Sequence, residues 1–189
     1  MRFDFPFQEG TLAAVPDFKL WPMQDPPRNN HYLPFIGITN CTYLTMTGNG
    51  LLDGQGLKWW NKWVFDPPHN SRRPNLVEIN TCQYLLIENI RAINSPSFHF
   101  DLGNVAHAEV RRVEIHVNRK AIRQLKAVKR SKRLGLSPSI TVADISPAQP
   151  RAPFRAAMTT TTSNLMATTP KPVLEPEDLN TDGIDPSGR

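Results

Sequence analysis

The residues best equipped for chemistry are Asn180-Thr181-Asp182-Gly183-Ile184-Asp185. Two carboxylates stand three residues apart, and an amide precedes the first by two. Successive side chains of a strand alternate faces, so Asn180 and Asp182 share one face and Asp185 takes the other. An acid held beside an amide suits proton transfer or activation of water. Gly183 lets the backbone leave that alternation or admit a ligand close to it. Asp-Gly and Asp-Pro-Ser-Gly are also ordinary turn sequences, so spacing alone leaves a turn and a catalytic strand both open.

Elements able to position such a motif appear between residues 35 and 118. Three runs align: Ile38 to Met46, Ile79 to Ile87 and Leu102 to Val110, starting 41 and 23 residues apart. Each is a short β-prone stretch, a polar corner and a second short stretch. A period in the twenties marks a solenoid, and the lack of a 3.6-residue period favours a parallel β-helix over a leucine-rich repeat. The 41-residue step fits two turns, or one turn with a long loop. Asn40 and Thr81 fall at the corner, where a polar side chain can cap the backbone. Gly48, Gly50, Gly54 and Gly56 are expected at corners with positive φ. Cys41 and Cys82 occupy equivalent repeat positions and are expected as small, buried ladder residues without a disulfide. Residues 1–34 hold only short strands, at Gly10–Leu12 and Tyr32–Phe35, and Pro22, Pro26 and Pro27 exclude a helix between them.

Four motifs in order resemble glycoside hydrolase family 28, the polygalacturonases and their relatives. They are Gly48 to Gly56 followed by Trp59-Trp60, then Arg73-Pro74, then Asn94 to Phe100, and last Asn180 to Asp185. The resemblance covers residues 10–118 and 179–189. It implies a right-handed parallel β-helix that hydrolyses pectin-like polysaccharide by inversion, outside the cell, as a monomer without membrane or cofactor. It implies that Asp182 activates water, Asn180 orients it and Asp185 supports. The family's later Asp-Asp pair, Gly-His-Gly and Arg-Ile-Lys motifs do not occur in this sequence. The chain is therefore expected to be an incomplete β-helix lacking both ends of the domain, and inactive alone. Two other readings stand: a β-helix that binds acidic polysaccharide without catalysis, and a nucleic-acid-binding protein.

Trp59, Trp60, Arg73 and His99 are the candidate substrate contacts. The tryptophans can stack on sugar rings, or plug one end of the solenoid. Arg73 can hold an acidic group, or form a solvated corner with Arg72. Alternation sets His99 opposite Phe98 and Phe100 at a groove edge, and His116 is placed similarly with a weaker claim. No His, Cys and carboxylate set has metal-site spacing, so no metal is expected.

The formal charge of +5 is local. Eight of the 22 Lys and Arg fall in residues 119–133, which hold no acid; the remaining 14 face 17 acids, a balance of −3. That segment spells a helix with Ile122, Leu125 and Val128 on one side, solvated within an insertion. It is the only stretch suited to nucleic acid. Residues 134–178 are rich in Pro and Thr and are expected to be disordered, so the organisation is 1–118 β-helix, 119–178 insertion and 179–189 catalytic motif. No run is long and apolar enough to span a membrane, and Met1 to Pro6 has no apolar core of a signal peptide, so the chain is expected to begin inside the domain.

Overall fold

A computed structural model describes residues 2–7, 10–24, 30–66, 71–146 and 184–185. The strands are β1 (Arg2–Phe7), β2 (Thr11–Ala13), β3 (Asn30–His31), β4 (Ile36–Gly48), β5 (Leu51–Asp53), β6 (Ser71–Arg72), β7 (Val77–Glu88), β8 (Arg91–Ile93), β9 (Phe100–Val105), β10 (Ala108–Arg111), β11 (Glu114–His116) and β12 (Ile184–Asp185). Two α-helices, α1 (Leu57–Phe65) and α2 (Arg119–Arg133), and a 3₁₀ turn at Val142–Asp144 complete the described elements. Every pairing between these strands is parallel.

Coils stack in the register that the repeat predicts. Ile38 pairs with Ile79, and Ile79 with Leu102. β4 and β7 each bend at a residue in the left-handed region, Asn40 at φ 55° and Thr81 at φ 59°. Asn104, at φ 52°, makes the same corner in β9. Asn enters this region at low cost. Thr81 is β-branched, a costly choice that its neighbours must hold in place. Each coil then turns onto the sheet β2-β5-β8-β11. Inward residues build one core, with Met46, Leu52, Ile79, Ile87, Ile90 and Phe100 fully buried.

The 41-residue step is one turn with a long excursion. The chain leaves the coil after β5, carries α1 and β6, and rejoins at β7. The glycines of this departure serve close approach. Of Gly48, Gly50, Gly54 and Gly56, only Gly48 has positive φ, at 143°. A Cβ on Gly54 would meet Asn94 O and Ser95 Cα at 2.7 Å, and one on Gly56 would meet Asn94 O at 2.6 Å. The expectation of positive φ at all four is therefore corrected: two of them let the excursion press against the next coil.

α1 divides its tryptophans between two clusters. Trp59 packs on Trp21, Tyr32 and Phe18. Trp60 sides with Val64 against Ala121, Ile122 and Leu125 of α2, and its Nε1 donates to Ser95 O at 3.1 Å. α2 is anchored at its start: Asn118 Oδ1 accepts from Ala121 N, while Asn118 N donates to Asn94 Oδ1, both at 3.1 Å. Ile122, Leu125 and Val128 face inward as their spacing predicts, yet the helix is not merely solvated. Its apolar side closes over α1, and Ile145 packs into the same cluster. Folded structure thus continues past residue 118 to about residue 146. Residues 147–178 lie outside the described residues.

Cys41 and Cys82 point inward as expected, but they are joined. Their registered positions bring the Cα atoms to 4.6 Å, within disulfide range, and the sulfurs are bonded. Equivalent positions on adjacent coils favour the bond, because parallel stacking brings the two residues side by side. Asp53 is also buried, and burial raises its pKa against the opposing effect of hydrogen bonds from Gln55 and Asn94.

Three outcomes follow. Titration of unreduced protein should find no free thiol, and reduction should cost about 2–4 kcal/mol of unfolding free energy. Trp60→Ala should cost about 3–5 kcal/mol in denaturant unfolding, through lost packing between the helices. For Asp53, a raised folded pKa means its ionisation weakens the fold as pH rises above the ordinary value of 3.8. Asp53→Asn should therefore lose ground to the native protein as pH falls from 7 towards 4; a pH-independent difference would contradict this.

Candidate functional site

In β7 and β9 the residue just before the repeat start, Glu78 and Asp101 respectively, points away from the core. Register stacks Gly37, Glu78, Asp101 and Asp185 in one column across β4, β7, β9 and β12. Asn75 ties this column together. Its Nδ2 donates to Asp101 Oδ2 at 2.7 Å and to Glu78 Oε2 at 3.4 Å, and its Oδ1 accepts from Phe98 N at 3.3 Å. Asn80 Nδ2 donates to the other oxygen of Glu78 at 2.8 Å. Two carboxylates are thus fixed side by side by neutral amides.

The excursion adds cations. A cleft of about 370 Å³ opens over the column, walled by Arg72 and Arg73, by Trp63 of α1 and by His31 and Tyr32 of the N-terminal arm. Glu78, Asp101 and Asn75 form its floor. Arg73 lies over the Trp63 ring at 5.8 Å from the centroid. Burial lowers its pKa to about 10, which leaves the guanidinium charged at neutral pH. Acids and arginines in one concave, polar site can hold a polyhydroxylated ligand bearing carboxylates: the arginines pair with carboxylate, and the acids accept from hydroxyls.

The predicted contacts separate sharply. Arg73 lines the cleft. Trp59 and Trp60 are completely buried, so neither is open to stack on a sugar, and both serve packing. His99 is not at a groove edge either; it is fully buried, and its Nε2 accepts from Ser95 N at 3.3 Å, which fixes the Asn94-Ser95 turn. Asn180 and Asp182 lie outside the described residues. Asp185 takes the register position beside Asp101; Asp182, from which alternation sets it on the opposite face, lies outside the described residues. Glu78 and Asp101 escaped the sequence reading. Their signal was present, since each immediately precedes an aligned repeat start, Ile79 and Leu102. Among the described residues, no group of three His, Cys, Asp or Glu is placed to hold a metal, and no helix is long and apolar enough to cross a membrane.

A stack of parallel coils with a polar cleft on one outer face defines a solenoid of the parallel β-helix class. Residues 22–188 match the model of glycosyl hydrolases family 28, and the chain belongs to that family. It is 31% identical over 101 residues to a polygalacturonase of Cryptomeria japonica, covering 51% of this chain and 18% of that one. To a probable polygalacturonase of Vitis vinifera it is 30% identical over 109 residues, covering 50% and 21%. The chain thus spans about a fifth of the length of these curated relatives. An exopolygalacturonase from Thermotoga maritima superposes with a TM-score of 0.48 at 19% identity, over 59% of this chain and 34% of that one.

Asn75→Ala should cost about 1–3 kcal/mol of stability, because it releases two carboxylates and the Phe98 amide together. Urea unfolding checks this, and a change within about 0.5 kcal/mol, the usual size for a surface substitution, would show that Asn75 does not organise the floor.

Proposed function

We propose that this chain supplies the substrate cleft and the water-activating carboxylate of an inverting hydrolase. The substrate is a pectin-like, galacturonate-bearing polysaccharide of the cell wall. The observation that carries this reading is the family match across residues 22–188, which spans both the cleft and the Asn180–Asp185 motif. Relatives named polygalacturonase support the substrate class. A disulfide between Cys41 and Cys82 supports an oxidising, extracellular setting.

Inversion needs a carboxylic acid that protonates the leaving oxygen and a carboxylate that activates water, about 6.5–9.5 Å apart. Asp182 takes the second role, with Asn180 orienting the water by hydrogen bonding. In sequence both stand just before Ile184 and Asp185, whose backbone pairs with Phe100 and Asp101 at the cleft floor. Asp185 supports the motif from the column. Arg73, aided by Arg72, binds a substrate carboxylate, and its planar guanidinium suits a two-point contact. The proton donor falls to the family's Asp-Asp pair, which these 189 residues do not contain. Binding and turnover are therefore separable: the chain holds the sugar, and hydrolysis needs the added acid.

Calorimetric titration with trigalacturonate tests the first half. Arg73→Ala should weaken binding about tenfold, the equivalent of roughly 1.4 kcal/mol, while Asp182→Asn should leave it within about twofold. Unchanged affinity in Arg73→Ala would remove the cleft from the account. In a longer form bearing the Asp-Asp pair, Asp182→Asn should lower the release of reducing ends by about 10²-fold or more.

A further inference from the structure

The eight basic residues of α2 take no part in the cleft, and their arrangement points elsewhere. Once the apolar side has closed over α1, Arg119, Arg123, Arg130 and Arg133 all remain exposed. Their spacing of four, seven and three residues, with Lys126 between, keeps them on one stripe of a helix with 3.6 residues per turn. Rising about 1.5 Å per residue, that stripe runs roughly 21 Å, with a cation every turn. Among the described residues none of these four arginines joins an ion pair.

Such a stripe costs the fold something. Like charges three and four apart destabilise a helix, and Arg119 and Arg123 sit near its N-terminal end, where the macrodipole disfavours cations. No acid stands in the first turn to offset them. The helix is held by Asn118 and by its buried side, so the stripe contributes nothing visible to folding. A row of cations relieved only from outside fits a linear polyanion lying along it.

We infer that the exposed stripe of α2 is a second docking strip for acidic polysaccharide, separate from the cleft, that holds a long polyuronate chain at several carboxylates. This rests on the proposed substrate class. Charge complementarity selects the occupant. The chain outside residues 119–133 has a balance of −3, so α2 carries its densest run of positive charge, and that asymmetry favours one orientation of approach for a long polyanion. Each contact is exposed and weak, so the strip acts only on polymers long enough to engage several arginines at once.

The test uses the full chain, its Arg119→Gln/Arg123→Gln/Arg130→Gln/Arg133→Gln variant and Arg73→Ala. Retardation in gels containing long polygalacturonate reads the strip, and trigalacturonate titration reads the cleft. The quadruple variant should lose roughly tenfold or more in affinity for the polymer, flatten its salt dependence and bind the trimer as the native chain does. Its melting temperature should not fall, because the buried side of α2 is untouched and the like-charge repulsion along the stripe is relieved. Arg73→Ala should show the converse, so failure of the strip and failure of the cleft are distinguishable. Full retardation of the quadruple variant overturns the inference. Tighter binding of single-stranded RNA than of polygalacturonate, at matched charge and salt, overturns it in favour of nucleic acid.

Discussion

Everything in this molecule depends on parallel register between coils. Ile38, Ile79 and Leu102 lie one above another because each coil meets its neighbour at the same corner, set by Asn40, Thr81 and Asn104 in the left-handed region. A slip of one residue would turn Glu78 and Asp101 into the core and expose the isoleucines. The energy of that exchange is large on both sides, since it loses apolar burial and buries two charges. Register is thus enforced by the core, and the outward column of acids is a consequence of it. Alternation that hides Ile79 must display Glu78.

The second constraint is where the coil is interrupted. A 23-residue turn has no room for a wall, but the excursion after β5 carries α1 and then returns through Arg72 and Arg73. Because it rejoins immediately before β7, those arginines arrive beside the acids that register has already aligned. Gly54 and Gly56 make the departure possible by letting the backbone lie against Asn94 and Ser95. Tryptophans on opposite sides of α1 then fix the excursion from the N-terminal arm and from α2. The cleft joins a floor made by periodicity to a wall made by its breach.

That division explains what the sequence disclosed. The repeat was legible because inward residues recur in kind, and so were the corner residues and the buried side of α2. Glu78 and Asp101 were not, because outward positions need share no residue type, and only the register makes them neighbours. Trp59, Trp60 and His99 are chemically capable side chains, yet all three serve packing: Trp59 against the N-terminal arm, Trp60 between the two helices and His99 at the Asn94-Ser95 turn. The disulfide was missed for a related reason. Equivalent positions in a repeat suggest like residues stacking, and the separation of adjacent coils also suits a bond between them.

The central claim of the proposed function is that the cleft over Glu78 and Asp101, walled by Arg72 and Arg73, is where an acidic sugar sits. A crystal structure of the chain soaked with trigalacturonate measures this directly. The account predicts a uronate carboxylate within hydrogen-bonding distance of the Arg73 guanidinium and sugar hydroxyls on Glu78 or Asp101. Trigalacturonate bound on another face, with this cleft empty at saturating ligand, would contradict it.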